Sequence, residues 1–206
     1  HGSLSFHAAS RLLPARHRDP ALALYAFCRL ADDAVDLHDE KIAAVLRLEE
    51  RLAAVYAGRP RNAPADRAFA AVVETTGMPK TLPEALLEGL AWDAMERRYA
   101  TMDDLHAYGA RVASAVGAMM AVIMGVRDPH ALARACDLGV AMQLTNIARD
   151  VGEDARAFRI DLPTDWLAEA GMTPEGFLRE PLPTDAVRRM VRRLLAEARR
   201  LYNRGE

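Results

Sequence analysis

The chain has little of what marks a secreted, nucleic-acid-binding or membrane-spanning protein. It holds two cysteines, Cys28 and Cys136. That is too few for a disulfide framework, and no zinc-ligand spacing accompanies them. Both fall in helical pattern, which points to reduced thiols in a cytosolic protein. Aromatics make up 6% of the 206 residues, and neither sign of charge dominates, with a formal net charge of −2 and a pI near 6.3. A broad basic face for nucleic acid is therefore excluded. No apolar run reaches the roughly 20 residues that a spanning helix needs. The longest candidate, VASAVGAMMAVIMGV from Val112 to Val126, sits between Arg111 and Arg127. It reads as a buried helix, with peripheral membrane contact left open. Repeats, low-complexity linkers and a secretory signal are missing from the sequence. His1-Gly2-Ser3 reads as an expression-tag scar and is set apart from the fold.

What is present is helix-forming sequence. Hydrophobic residues make up 51% of the chain, alanine and leucine are abundant, and β-branched runs are few, so an all-α protein is expected. Proline and glycine punctuate it. The pattern predicts a short first helix over SFHAASRLL, ended by Pro14, then helices over Pro20–Asp36, Lys41–Tyr56, Ala65–Thr75 and Pro83–Tyr99. Thr101 and Asp104 form a capping-box pattern ahead of a helix running to about Met124. Asp128-Pro129 opens the next helix. Short helices surround Pro163 and Pro174, and a basic last helix spans Thr184–Asn203.

Two acidic stretches interrupt this apolar background: DDAVD, Asp32 to Asp36, and DVGED, Asp150 to Asp154. Four residues advance a helix by about 400°, leaving i and i+4 about 40° and 6 Å apart. Asp32 and Asp36 thus share a face, and so do Asp150 and Asp154. Tyr25, Cys28 and Arg29 precede the first pair on roughly that side, and Gln143 and Asn146 precede the second. Paired carboxylates on largely apolar helices are costly without cations. Oxygen-only donors suit Mg²⁺, which keeps waters and shares its sphere with phosphates. Arg29 and Arg149 beside the acids supply donors for a diphosphate. The rival helical di-iron site wants Glu-x-x-His on two helices, and Asp103-x-x-His106 is the nearest approach to it. Solvated helix-end acids are the plainer alternative for either motif alone. The small-residue and Met-rich run from Val112 to Val126 suits either tight helix packing or a hydrocarbon wall. Trp92 and Trp166 read as packing residues, and His17, His38, His106 and His130 as solvated. The arginines of the last helix, Arg188, Arg189, Arg192, Arg193, Arg199 and Arg200, read as a solvated face that could also meet an anionic membrane.

LYAFCRLADDAVD and AMQLTNIARDVGED resemble the two signature motifs of the squalene and phytoene synthase family. SFHAASRLLP and YATMDDLHAYGARVASAVGAMMAVIMG resemble its opening and middle helices, and LPTDWLAEAGMTPEGFL the segment after the second motif in its bacterial phytoene-forming members. The resemblance implies one isoprenoid-synthase helical bundle over residues 4–206 around a central cavity, with further helices after Leu201-Tyr202, beyond the last residue of this chain, Glu206. It implies head-to-head joining of two geranylgeranyl diphosphates, through a cyclopropyl diphosphate, to phytoene in carotenoid biosynthesis. Farnesyl diphosphate with squalene, dehydrosqualene or presqualene diphosphate as product is the alternative, as is a non-catalytic protein retaining the fold. By resemblance Asp32, Asp36, Asp150 and Asp154 hold Mg²⁺ (Mn²⁺ as a substitute) and Asn146 completes the shell. Ser5, Arg29, Gln143 and Arg149 contact diphosphate. Tyr25 and Tyr108 lie near the reacting carbons, and Phe6, Val112, Val116 and Gly117 line the prenyl channel. No NADPH is expected for phytoene. A cytoplasmic location follows, with contact at the inner membrane open, as is the oligomeric state. Where the family reads Gly-Arg-x-Tyr-Leu-Pro, this chain reads Phe158-Arg159-Ile160-Asp161-Leu162-Pro163. Ser114 stands where glycine is frequent, and His7 where an aromatic is common.

Overall fold

The structure, a computed structural model, describes residues 11–36 and 40–205, without the side chains of Asp32, Ala34, Val35 and Asp36. Every regular element among the described residues is helical. Two compact units emerge, His1–Met95 with Ala118–Leu132, and Glu96–Gly117 with Ala133–Glu206. The expected helix over SFHAASRLL lies largely outside the described residues.

In the first unit α1 (Ala15–Asp36) packs against α2 (Lys41–Tyr56), α3 (Pro64–Thr76) and α4 (Thr81–Ala94). The α2 residues Ala44, Val45, Leu48, Leu52 and Val55 are buried, the three-and-four spacing of one apolar face. Phe27 of α1 stacks on Phe69 of α3 at 4.2 Å between ring centroids. Asp66 is 2% exposed and is held by the Arg51 fork, Nη2 donating at 2.7 Å and Nε at 3.1 Å to the two carboxylate oxygens. That bidentate geometry offsets the desolvation of both ions. The Tyr56 hydroxyl donates to the Met78 carbonyl at 3.0 Å, and burial with Glu84 nearby pushes its phenol up to about 12.

Helix α1 begins five residues before the expected Pro20. The amides of His17 and Arg18 both bond the Pro14 carbonyl, and the Arg18 guanidinium bonds the carbonyls of Arg11 and Leu13. These contacts fix a turn ahead of the proline, which forfeits a single backbone bond inside the helix. Helix α4 stops at Ala94 rather than Tyr99. Glu96 takes φ 51°, and Tyr99, 1% exposed, instead gives its carbonyl to the Thr164 amide at 2.9 Å. Tertiary pairing overrides the helical pattern of that stretch.

The second unit opens with α5 (Met102–Gly109). Its capping box is present, with Asp104 N donating to Thr101 Oγ1 at 3.2 Å and Thr101 N to Asp104 Oδ2 at 3.1 Å. The expected single helix to Met124 is broken by a π-helical turn, Ala110–Ser114, before α6 (Ala115–Ile123), whose residues from Ala118 onward belong to the first unit. Helix α7 (Pro129–Arg156) starts where Asp128 Oδ2 accepts the Ala131 amide at 2.8 Å. Helices α8 (Thr164–Glu169) and α9 (Pro174–Arg179) follow, then α10 (Asp185–Gly205). The last buries Val187, Met190, Leu194, Ala198 and Leu201, each of the large ones contributing about 1.5–3 kcal/mol of burial.

Both tryptophans are buried, as expected. Two histidines depart from the solvated reading. His17 Nδ1 lies 3.1 Å from the Ile123 carbonyl, and His106 Nε2 lies 3.1 Å from Glu197. The basic face of α10 is partly engaged. Arg193 stacks 3.9 Å over Trp166 and pairs with Glu169, and Arg200 pairs with Glu197. No helix among the described residues is long and apolar enough to cross a membrane.

Candidate active site

Both acidic motifs fall at the C-terminal ends of helices, DDAVD in the last turns of α1 and DVGED in those of α7. The negative end of the helix dipole disfavours carboxylates there, so each motif sits where it gains from a cation. On α1, Tyr25 and Arg29 are half-buried, and Arg29 pairs with Asp33 at 2.6 Å. The side chains of Asp32 and Asp36, and the residues Ser5, Phe6 and His7, lie outside what the structure describes.

The α7 half is fully described, and its two acids differ. Arg149 grips Asp150 with two bonds, Nε to Oδ1 at 2.7 Å and Nη2 to Oδ2 at 2.6 Å. That hydrogen bonding holds the Asp150 carboxyl below its usual value of 3.8. Asp154 is half-buried, and among the described residues no hydrogen bond or ion pair reaches its carboxylate. Burial, then the neighbouring Asp161, push it up to about 6, against the pull of Arg159. Gln143 is half-buried and Asn146 exposed on the same helix.

The segment after α7 brings in residues that the sequence marks only as departures. Ala157, Phe158 and Arg159 close the helix with a Schellman motif: Phe158 N bonds the Ala155 carbonyl at 3.1 Å and Arg159 N bonds the Asp154 carbonyl at 2.8 Å. Phe158 occupies the left-handed position, φ 61°, with 80% of its surface exposed. This explains the glycine implied at 158. An L side chain in that conformation costs about 1–2 kcal/mol, and an exposed phenyl recovers little of it. Phe158→Gly is accordingly expected to stabilise the protein by about 1 kcal/mol, after the extra chain entropy of glycine is subtracted. The check is the urea midpoint, which should rise with an unchanged slope.

Asp161, 8% exposed, accepts from Arg159 Nε at both oxygens, 3.0 and 2.9 Å. Burial pushes its carboxyl up, against Arg159. Arg159 Nη2 also donates to the Tyr108 hydroxyl at 2.8 Å. Tyr108 is buried and lies 4.9 Å from the Tyr99 ring. The one sequence signal for Asp161 is a carboxylate inside the apolar run Ile160-Asp161-Leu162.

Of the expected channel residues, Val112 lies on the π turn and Val116 on α6, both half-buried. A Cβ at Gly117 would stand 3.2 Å from the Ala135 carbonyl oxygen, so this glycine has a packing role whatever else it faces. A groove of about 440 Å³ opens along α7 and is lined by Arg149 together with Gly152, Arg156, Leu182 and Arg192. Asp150 and Asp154 do not line it.

Among the described residues no three acidic, histidine or cysteine side chains form a group able to hold a metal ion. The α7 pair therefore offers part of a coordination sphere. Oxygen-only donors, with no ion pair on Asp154 among the described residues, fit a hard divalent cation that completes its shell with water and phosphate.

The helical architecture is that of the isoprenoid synthases. The crystal structure of squalene synthase HpnC from Alicyclobacillus acidocaldarius matches with a TM-score of 0.89 at 28% identity, over 100% of this chain and 77% of that one. A dehydrosqualene synthase in complex with ligand matches with a TM-score of 0.88 at 34% identity, over 98% of this chain and 71% of that one. Residues 1–206 match the squalene/phytoene synthase family, and the chain belongs to it. It is 68% identical to the phytoene synthase of Rhodobacter capsulatus over 99% of this chain, and 63% identical to that of Cereibacter sphaeroides over 100% of it. It is 42% identical to the 15-cis-phytoene synthase of a Paracoccus species, over 98% of this chain and 68% of that protein. The chain spans 61% of the length of each of the first two relatives.

Proposed function

We propose that this chain takes part in the head-to-head condensation of two geranylgeranyl diphosphates, through a cyclopropyl diphosphate, to phytoene. The observation that carries the metal-diphosphate chemistry is Asp154, a half-buried carboxylate on the face it shares with Asp150, raised to about 6 by burial and by Asp161 against the pull of Arg159, with no ion pair or hydrogen bond to it among the described residues. The choice of product rests on the high identity to proteins named phytoene synthase.

Asp32, Asp36, Asp150 and Asp154, with Asn146, would hold Mg²⁺, whose bound charge favours departure of diphosphate from an allylic carbon. Arg149 already donates two bonds to an anion, and that fork can pass to a diphosphate oxygen. Arg29, Gln143 and Ser5 would add donors. Tyr108, whose hydroxyl oxygen accepts from Arg159, would sit near the reacting carbons. Tyr25 would sit beside the reacting carbons, and Phe6, Val112, Val116 and Gly117 along the prenyl chains. Condensation to phytoene consumes no NADPH, whereas a squalene product needs a hydride donor. A C40 hydrocarbon leaves water for lipid, so peripheral contact at the inner membrane belongs to this reading, with the exposed Arg189, Arg192 and Arg199 of α10 as candidate contacts.

The test is incubation with geranylgeranyl diphosphate and Mg²⁺, followed by extraction of the organic phase. A C40 product with three conjugated double bonds is expected. Product from farnesyl diphosphate alone would replace this reading with the squalene-type one, and no product from either would leave a fragment of the enzyme or a non-catalytic protein that retains the fold.

A further inference from the structure

We propose that Asp161 is a positioning residue for the cation site on α7: it holds the Arg159 guanidinium off Asp154, leaving the Asp154 carboxylate open to a divalent cation. This rests on the metal-diphosphate reading above. Asp154, Arg159 and Asp161 line one small recess together with Ile147, Val151 and Leu162. The backbone ties residue 159 close to residue 154, since Arg159 N donates to the Asp154 carbonyl at 2.8 Å. An arginine so placed beside a half-buried carboxylate is expected to form the two-bond fork that the pair favours. It does not. Its Nε goes to both oxygens of Asp161 and its Nη2 to Tyr108. Arg159 and Asp161 are two residues apart in a segment without helix, so both side chains can meet on one side of it.

The buried Asp161 therefore competes with Asp154 for the same cation and wins by geometry. Arg159 still lowers the charge of the recess, but it does not close the acceptor oxygens that a metal needs. A carboxamide at 161 keeps the shape and loses the charge. The guanidinium, still bonded to Tyr108, then loses its ion pair with residue 161, and its charge shifts toward Asp154 and competes with the metal.

The probe is Mn²⁺ alone, titrated into the chain and followed by electron paramagnetic resonance. Asp161→Asn should weaken binding by about tenfold, the low end of what groups behind a metal ligand contribute. Asp161→Glu should stay within about threefold of the parent. The deciding variant is Asp161→Asn with Arg159→Gln, in which no guanidinium remains to occupy Asp154, and parent-like affinity should return. Arg159→Gln alone should bind at least as tightly as the parent. Unchanged binding in Asp161→Asn, or a double variant as weak as the single one, overturns the proposal while leaving the metal reading intact. Absence of Mn²⁺ binding by the parent overturns both.

Discussion

Asp154→Asn is expected to stabilise the metal-free protein at pH 7 while removing divalent-cation-dependent turnover. The folded carboxyl is raised from 3.8 to about 6, so the native state binds the proton more tightly than the unfolded chain does. The native state then gains stability as pH falls from about 6 toward 4, and the full cost of the ionised form is present above 6. Two pH units would correspond to about 3 kcal/mol if felt entirely. Asp154 is open to water on one side, and screening reduces this to about 1 kcal/mol, or about 3 °C for a chain of this size. The raised carboxyl of Asp161 acts in the same direction. Asp150, Glu175 and Glu197 are lowered by their arginines and act oppositely, losing stabilisation as pH falls below their ordinary values of 3.8 to 4.5. Metal-free parent protein should therefore melt highest near pH 5. Asp154→Asn should flatten the fall between pH 5 and 7. Millimolar Mg²⁺ at pH 7 should raise the parent's melting temperature and leave the variant's unchanged, because only a site competent to bind shifts the equilibrium. Under the proposed function, turnover of geranylgeranyl diphosphate should drop about a thousandfold, the size of a lost metal contribution of several kcal/mol. A variant that is destabilised at pH 7, or that retains turnover, would remove Asp154 from the site.

The placement of the α7 acids was legible because it depends on local periodicity. The i, i+4 spacing of Asp150 and Asp154 places them on one face of α7, and the adjacent Arg149 does grip an acid. The bounds of α2 coincide with the apolar period of Lys41–Tyr56, and the Thr101–Asp104 box forms as its residue types require. What the pattern does not carry is the inequality between the two acids. Asp150 is neutralised by its sequence neighbour, a local fact. Asp154 is made costly by burial and then by Asp161, which arise only when the chain turns back after α7. The π turn at Ala110–Ser114 was equally hidden, since one extra residue in a turn barely disturbs the apolar period on either side. The early end of α4 came from the carbonyl of Tyr99 pairing with Thr164, more than sixty residues away.

That π turn is also where the largest loss of stability is expected. Gly139 of α7 faces it so closely that an added Cβ would stand 2.6 Å from Ser114 Cα, 2.7 Å from Ser114 N and 2.9 Å from Ala113 C. All three are backbone atoms, so no side-chain rotation relieves the contact. The Ser114 hydroxyl fastens the same crossing by donating to the Cys136 carbonyl at 2.6 Å, and it would be strained as the two segments separate. Gly139→Ala gains about 1 kcal/mol of helix propensity and loses more to overpacking against backbone. A net destabilisation of about 2–4 kcal/mol is expected. Gly152, on the same helix, reverses the balance. Its added Cβ would meet nothing nearer than the Arg156 guanidinium at 3.8 Å. Gly152→Ala should therefore stabilise by up to about 1 kcal/mol. Chemical denaturation of the two variants side by side decides the matter. Opposite signs would establish the Ser114 crossing as the contact that requires glycine, and equal effects would show that helix propensity alone governs both positions.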